Sequence, residues 1–415
     1  MFAPSEFCDV NGDYYGADKQ IHHGKGFKNY TTFSLWDTYR AAQPLMTILQ
    51  PERMSDIINT MLHIYEQQGK LPVWHLMGCE TNCMVGNPGV PVVADAILKD
   101  IKGFNSELAF KALKESSMLP ERGMEYRIQY GFIPADKMTE AIAYDMEYAI
   151  ADWAVAQAAR RLGKQDDYTY FLERSKSYKN YFDASTGFMR GKLSDGSWRT
   201  PFSPYASAHR DDDYCEGNAW QYTWLVPQDV EGLVACFGNK DAFVHKLDSL
   251  FLASGDMGEA SSPDISGLIG QYAHGNEPSH HITYLYTLVG QPWKTAERVK
   301  EILHTMYTDQ PDGLSGNEDV GQMSAWYILS SFGFYQVEPA GGKFVFGYPN
   351  FEKVEIAVPG GQFVIKREDK GQKNCYIQGV LLNGKEYKKA WIDYADIMKG
   401  GELTFLMGDK QTVWY

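Results

Sequence analysis

Apolar residues recur three or four positions apart over most of the first 335 residues of this chain. This spacing gathers them on one face of a helix, so the sequence predicts a mainly α region of amphipathic helices. The predicted helices cover residues 51–68, 138–162, 166–182, 220–237, 279–288, 293–306 and 322–332. Asp37 or Thr38 is expected to cap an earlier helix, and Pro292 to stand ahead of the helix at 293.

Long segments rich in glycine, polar and aromatic residues separate these helices, at 71–91, 187–217 and 257–278. They exceed the connections of ordinary helix bundles, and loops of this length usually carry function. About a dozen helices joined alternately by short and long loops would close into a double-layered (α/α)6 toroid. The long loops would then gather at one end, which is the expected active face.

After Val337 the pattern changes to strands, predicted at 343–346, 353–357, 362–366, 375–382 and 402–406. Asn383-Gly384 is a signal for a two-residue hairpin turn. The sequence therefore predicts an (α/α)6 toroid domain at residues 1–336 and a small C-terminal β-sandwich-like module at 337–415.

The formal net charge is −14, and no run of Lys or Arg offsets it. A negative surface repels phosphate backbones and anionic membranes, so nucleic acid is not expected as a partner. No stretch approaches the roughly 20 apolar residues that cross a bilayer, so no membrane span is predicted. Residues 1–9 lack the basic and apolar regions of a signal peptide.

Four segments place an acidic residue beside Gly or Asn just before a helical run. They are FSLWDTYR at 33–40, YCEGNAWQY at 214–222, HGNEPSHH at 274–281 and GLSGNEDVGQMSAW at 313–326. Such junctions expose a side chain together with free backbone N–H groups. Each segment taken alone is better explained by helix capping through Asp or Asn.

Taken together and in this order, the four segments resemble glycoside hydrolase family 92, the calcium-dependent exo-α-mannosidases. The resemblance spans essentially the whole chain and extends to GKLP at 69–72, VGN at 85–87, ADA at 94–96, GFY at 333–335 and FGYP at 346–349. It implies inverting release of terminal mannose from α-mannosides or N-glycans, with α-1,2 linkages as the expected choice. The partner is then a mannose-containing oligosaccharide or glycoprotein glycan.

The resemblance also assigns the two catalytic carboxyls. Glu216 is the expected general acid and Asp319 the general base, which in an inverting enzyme stand about 6.5–9.5 Å apart. Glu318 is the reserve candidate for the base. If Glu318 and Asp319 faced the same water, repulsion would raise one pKa, so Glu318 is expected to point elsewhere.

By the same resemblance, Asn276, Glu277 and Asp319 supply the protein side of a Ca²⁺ site, which needs about six to eight oxygen ligands. Their spacing is not that of an EF-hand, and the residues by themselves favour a structural turn; the metal site follows only from the resemblance. Calcium avoids imidazole, so the neighbouring histidines are not expected to bind it.

Six residues are expected around the sugar. Asp37 would accept hydrogen bonds from mannose hydroxyls while Arg40 braces it, or it would cap a helix and form an ordinary salt bridge. Trp36 and Trp74 would stack on sugar rings or lie in the core. His280 and His281 would contact the sugar or support residues that do.

Members of the family carry an N-terminal β-sandwich domain ahead of the region where this chain begins, and they are exported. The resemblance therefore implies a catalytic part without that domain, acting in the periplasm or outside the cell. Two alternatives stay open: a catalytically impaired fragment or glycan-binding protein, and another toroid-fold α-glycosidase that needs no metal.

Overall fold

The structure, a computed structural model, describes residues 3–371 and 375–415. The described residues leave out Met1 and Phe2, at the start of the predicted helical domain. They also leave out residues 372–374, within the predicted β module. Short strands that the sequence did not predict open the chain, because two or three residues are too few to show an alternation. Ser5–Glu6 pairs with Tyr30–Thr31, and Asp13–Tyr15 pairs with Ile21–His23. Phe33–Ser34 pairs with Trp74–Leu76, which pairs in turn with Cys79–Glu80.

Helices follow, and local chemistry sets their ends. Pro51 starts the helix Pro51–Gln68, where a missing N–H costs nothing, and Gly69 ends it with a φ of 84°. Asn105 caps Ser106–Ser116 by accepting two backbone N–H groups. The α-helices of this region are Leu35–Thr38, Ala42–Leu49, Pro51–Gln68, Gly89–Leu98, Ser106–Ser116, Met124–Tyr130, Ala141–Arg161, Gln165–Arg174, Ala219–Tyr222, Val230–Cys236, Lys240–Leu250, Leu285–Leu288, Pro292–Thr305 and Gln322–Phe332.

The prediction of one helix over 220–237 is wrong. Ala219–Tyr222 ends after a single turn, and Val230–Cys236 starts again beyond Pro227. Proline lacks the N–H that would continue the helix, and the Asp229 side chain accepts the N–H of a residue three positions on, which begins a new helix.

Two further expectations are corrected. The predicted helix at 279–288 consists of the 3-10 turns Glu277–Ser279 and Ile282–Tyr284 followed by one α turn. Asp37 and Thr38 do not cap a helix, because both lie within Leu35–Thr38. By contrast, the predicted helices at 51–68 and 322–332 are confirmed with those bounds.

The helices pack in sequence around a common core. Ala141–Arg161 is buried along nearly its whole length and packs against Gly89–Leu98 and Gln165–Arg174. The last helix, Gln322–Phe332, packs against Ala42–Leu49 near the start. The loops at the two ends of the helical region are thereby brought side by side. In the described ranges, no helix combines the length and the apolar content that crossing a bilayer requires.

Two sheets form the last part of the chain, so the fold is mixed in helix and strand. One has the order Phe334–Gln336, Lys343–Phe346, Trp391–Asp393, and the other the order Lys353–Val358, Gly361–Asp369, Gly401–Gly408, Tyr376–Leu382, Lys385–Glu386. The short helix Tyr394–Met398 lies between the last strands.

The predicted hairpin is confirmed, since Leu382 pairs with Lys385 across Asn383-Gly384, both of which have positive φ. The predicted boundary between the two domains falls after residue 336, which ends the strand Phe334–Gln336. That strand pairs with Lys343–Phe346, and one continuous hydrophobic core includes residues on both sides of the boundary.

Candidate active site

Three acidic side chains from distant parts of the chain meet at one place. Asp37 lies in Leu35–Thr38, Glu277 opens the turn Glu277–Ser279, and Asp319 lies in the loop before the last long helix. One carboxylate oxygen of each lies within 4.8 Å of the other two. Asp37 and Glu277 are buried, whereas Asp319 is partly exposed.

The cluster gathers more negative charge than the neighbouring Arg40 compensates. Neither carboxylate oxygen of Glu277 has a hydrogen-bond donor within the described part of the chain, and the residue is fully buried. Its contact with the Asp319 carboxyl is a hydrogen bond only when one of the two holds a proton. Burial raises the pKa of Glu277 well above its ordinary value, and the charges of Asp37 and Asp319 raise it further. A hard cation would relieve both the burial cost and the repulsion, so these residues fit calcium.

Asp37 has the same electrostatic character. Burial raises its pKa well above the ordinary value, and the charge of Asp319 adds to this. The hydroxyl of Ser34 donates to its Oδ2 and acts in the opposite direction. The expected calcium set was Asn276, Glu277 and Asp319, and the structure adds Asp37, which was expected on the substrate.

Glu216 stands beside this cluster. Its φ is 50°, a strained value for a residue with a Cβ. Asn276 holds it: Nδ2 donates to the Glu216 carbonyl oxygen at 2.8 Å and lies 3.3 Å from Oε2. Burial raises the pKa of Glu216 to about 7, and the charges of Asp264 and Asp319 contribute. A carboxyl with a pKa near neutrality can both hold and release a proton.

The string EGNAWQ explains why Glu216 stays outside the helix. Asn218 accepts the N–H of Trp220 at 2.9 Å, and Gln221 accepts the N–H of Asn218 at 2.7 Å. This reciprocal pair is a capping box, which starts the helix at Ala219. The residues before it form the turn on which Glu216 is presented.

The loop of Asp319 is strained as well, with φ values of 50° at Asp319 and 57° at Val320. Burial raises the pKa of Asp319, and the nearby charges of Asp264 and Glu318 add to this effect while Glu277 opposes it. Glu318 does point elsewhere: it accepts the N–H of Gly321 and the hydroxyl of Ser324, each at 2.7 Å, at the start of the last long helix.

Gly275 and Gly316 let the loops of Glu277 and Asp319 touch. A Cβ on Gly316 would lie 2.5 Å from the carbonyl oxygen of Gly275, and Gly316 has a φ of 103°. No side chain fits between two backbones at this separation, so glycine is required. This backbone contact sets the spacing of the two carboxylates.

Arg40 and Trp36, both expected around the sugar, are engaged within the protein, and a place on the substrate stays a prediction for each. Nη2 of Arg40 donates to Glu147 at 2.6 Å and Nε donates to the Trp36 carbonyl oxygen at 3.0 Å, so it reaches Asp37 only through its charge. Trp36 is 1% exposed, and the Arg40 guanidinium lies 5.2 Å from its ring centroid. Arg40 thereby ties the segment that carries Asp37 to the helix Ala141–Arg161. Trp74, by contrast, is partly exposed and stays a candidate for stacking.

The two histidines hydrogen-bond to the protein, which suits the alternative that they support residues of the site; contact with the sugar stays a prediction. His280 uses both ring nitrogens on the protein: Nε2 donates to the carbonyl oxygen of His274 at 3.0 Å, and Nδ1 accepts from Gln322 at 2.9 Å. His281 donates through Nε2 to the carbonyl oxygen of Trp224 at 2.7 Å. Burial lowers the pKa of His280 to about 3 and that of His281 to about 4, so both rings are neutral.

Sequence reasoning missed two acidic residues of the site. Asp264 accepts from Ser262 Oγ at 2.9 Å and from Asn317 Nδ2 at 3.3 Å, and its charge acts on both Glu216 and Asp319. It falls within the long loop 257–278, which the composition had marked as functional. Glu147 is the buried partner of Arg40, and its signal is that it is one of three acidic residues within a largely apolar helical run.

Paired carboxyls with raised pKa values, presented on loops of a helical scaffold, form the kind of site that glycoside hydrolases use. The family model described as "Glycosyl hydrolase family 92 catalytic domain" matches residues 1–409. The chain belongs to this family.

Solved structures agree with this assignment. The chain superposes on a family 92 α-mannosidase of Bacteroides thetaiotaomicron in complex with mannoimidazole with a TM-score of 0.95 at 40% identity, covering 100% of this chain and 56% of that one. It superposes on a family 92 inverting mannosidase of the same organism with a TM-score of 0.88 at 33% identity, covering 100% of this chain and 58% of that one.

Among curated proteins, an uncharacterized secreted glycosidase of Arthroderma benhamiae is 27% identical over 417 residues, covering 91% of this chain and 51% of that protein. This chain thus spans little more than half the length of the proteins it matches.

Proposed function

We propose that the chain is an inverting, exo-acting α-mannosidase that releases terminal mannose from α-mannosides and glycoprotein glycans. One observation carries this proposal: a protonatable carboxyl, Glu216, lies beside a second acidic group, Asp319, at a cluster suited to a cation. The relationship to α-mannosidases of known structure supports mannose as the sugar.

Glu216 is the proposed general acid. With a pKa of about 7, a substantial fraction of Glu216 is protonated at neutral pH and can deliver the proton to the departing glycosidic oxygen. Asp319 is the proposed base, which takes a proton from the water that attacks the opposite face of the sugar ring. The leaving group departs from one face of the sugar ring and water attacks the other face. The configuration at the anomeric carbon is therefore inverted, and the product is β-mannose.

Asp37, Glu277 and Asp319 would hold a calcium ion, with the remaining lone pair of Asn276 Oδ1 as a further ligand. When bound, calcium supplies a positive charge that binds vicinal sugar hydroxyls and favours the distorted ring of the transition state. The protein's own residues fix the acid and the base around that position.

We also propose the architecture and setting that this activity needs. Packing of the last long helix on the first ones supports a closed (α/α)6 toroid over residues 1–336, with residues 337–415 as a β module against it. The secreted relative supports a periplasmic or extracellular location. An α-1,2 linkage is the proposed preference.

Mannobioses of defined linkage, assayed with and without calcium, test this function. Release of mannose that EDTA abolishes and calcium restores supports it, with the α-1,2 isomer cleaved fastest. NMR in the first minutes identifies the anomer, and initial α-mannose would exclude inversion. Metal-independent release of glucose from α-glucosides would favour another toroid glycosidase, and glycan binding without release would favour a binding protein.

A further inference from the structure

The side chain of Gln322 joins the three segments that carry the acidic cluster. Gln322 is fully buried at the start of the last long helix, three residues after Asp319. Its Oε1 accepts the backbone N–H groups of Ala41 at 3.0 Å and Ala42 at 3.1 Å. Its Nε2 donates to Nδ1 of His280 at 2.9 Å. One amide thus links chain segments that lie up to 281 residues apart.

Each of these contacts is made about one turn from a carboxylate. In all three segments the backbone carbonyl oxygen of the acidic residue accepts the N–H of the residue three positions later. The three bonds join Gln322 to Asp319 at 3.1 Å, His280 to Glu277 at 3.0 Å and Arg40 to Asp37 at 3.4 Å. Ala41 directly follows the last of these turns. The Gln322 amide therefore connects three short turns, each of which begins at a carboxylate of the cluster.

The surroundings of Gln322 fix the direction of its amide. Nε2 of His280 lies 3.0 Å from the carbonyl oxygen of His274, which can only accept, so the proton of the ring is on Nε2. In the neutral ring Nδ1 is then an acceptor, and only the NH₂ end of the amide can face it. The amide oxygen is left for the two backbone N–H groups.

The early helix Ala42–Leu49 depends on this oxygen. The N–H groups at the start of a helix have no acceptor within it, and Ala41, the residue before this helix, has no side-chain oxygen with which to cap it. Oε1 of Gln322 supplies the acceptor instead. The helix that follows Asp37 is thereby held by the helix that follows Asp319.

A neutral amide suits this position better than a charged side chain. The three carboxylates repel one another, since one oxygen of each lies within 4.8 Å of the other two. A fourth carboxylate beside them would add to the repulsion, and a lysine or arginine would compete with a metal cation. The amide holds the turns together without changing the charge of the cluster.

We propose that Gln322 is a positioning residue, which holds Asp37 in register with the other two carboxylates for calcium. It acts through the turns, because its hydrogen bonds go to backbone N–H groups and a ring nitrogen and not to the carboxylates. The contact between Gly275 and Gly316 spaces the other two carboxylates, and Gln322 adds the third segment. This inference rests on the calcium cluster of the proposed function and names the residue that preorganises it.

Calcium binding without substrate tests the proposal. Gln322→Met has nearly the same length and lacks both hydrogen-bonding ends, so calorimetric titration with calcium should give a Kd about tenfold or more above the parent's. Thr295→Val is the matched control, because Thr295 is as deeply buried, accepts a backbone N–H at 3.0 Å and donates to a carbonyl oxygen at 2.9 Å. It should also lose stability, but it should bind calcium as the parent does. Equal Kd values for the parent and Gln322→Met overturn the proposal.

Crystal structures of the parent and Gln322→Met, both without calcium, give a second readout that needs no turnover. The Asp37 carboxylate is expected to leave the 4.8 Å grouping in the variant, and an unchanged grouping overturns the proposal. If Gln322→Met does not fold, Gln322→Asn takes its place, since its shorter amide cannot reach Ala41 and His280 together and should weaken calcium binding equally. Weaker binding by the variant supports the inference even if the parent hydrolyses no mannoside, so the two proposals can fail separately.

Discussion

The Asn276 Nδ2 atom donates to the backbone carbonyl oxygen of Glu216 at 2.8 Å. This bond connects the loop of the proposed calcium ligands to the turn of the proposed acid, 60 residues earlier in the chain. Since Glu216 has a strained φ of 50°, an external contact is needed to keep it there. The placement of the acid therefore depends on the same loop as the cation cluster.

Asn276→Ala is expected to lower kcat roughly 100-fold on an α-mannobiose, because a carboxyl displaced by about 1 Å loses the geometry of proton transfer. Steady-state kinetics at saturating calcium measure this. Asn105→Ala is the matched control: it removes a helix cap, should cost about 1 kcal/mol of stability, and should leave kcat unchanged. An Asn276→Ala variant with the parent's kcat would show that the bond does not position Glu216.

Glu216→Gln should distinguish between leaving groups. The variant cannot donate a proton, so hydrolysis of a mannobiose should fall by about 10²–10⁴-fold. A dinitrophenyl α-mannoside, whose leaving group departs without protonation, should be much less affected. Comparison of kcat/KM for the two substrates is the measurement, and equal losses on both would remove Glu216 from the acid role.

Asp319→Asn should lower kcat on both substrates alike, because activation of water is needed whatever the leaving group. The expected loss is about 10²–10⁴-fold in each case. Glu318→Gln, one residue away, is the control, since Glu318 bonds Gly321 and Ser324. A larger loss in Glu318→Gln than in Asp319→Asn would transfer the role of base to Glu318.

Periodicity predicted those elements whose bounds are decided locally. Pro51–Gln68 and Gln322–Phe332 have the predicted bounds, since each ends at a glycine with positive φ. The split near Pro227 was missed, because a window of apolar spacing passes over one proline and one capping Asp.

Among the site residues, the sequence indicated which side chains matter but not their partners. Asp37, Glu277 and Asp319 lie far apart in the chain, and only the packing of the last long helix on the early ones brings them together. The pairing of Arg40 with Glu147 could not be predicted, because it joins residues 107 positions apart. Trp36 illustrates the same limit, since its near-complete burial follows from packing in the folded chain.

Calcium should stabilise the chain through the cluster. Binding only to the folded state at about 100 times the Kd would add about 2.7 kcal/mol, so the melting temperature should rise on addition of calcium and fall with EDTA. Glu277→Gln should lose this increment, because it removes a buried carboxylate from the set. Thermal unfolding followed by circular dichroism measures the effect, and Glu318→Gln should keep the full increment. A calcium shift that survives in Glu277→Gln would place the ion elsewhere.

His75 should make the fold sensitive to acid. It is 2% exposed in the strand Trp74–Leu76, neither ring nitrogen has a partner among residues 3–371 and 375–415, and burial lowers its pKa from 6.5 to about 4. The unfolded chain therefore takes up a proton near pH 6.5 while the folded chain does not, so this contribution is complete above that pH and is lost as the pH falls towards 4.

The loss from His75 is expected to be about 3 kcal/mol between these pH values. Urea unfolding at a series of pH values measures it, and His75→Phe, which cannot bind a proton, should flatten the dependence by that amount relative to the parent. The buried His274, His280 and His281 act in the same direction, so the variant keeps part of the slope. The exposed His245→Phe is the control and should follow the parent. If His75→Phe has the parent's slope throughout, His75 is protonated in the folded chain and its burial does not exclude the charge.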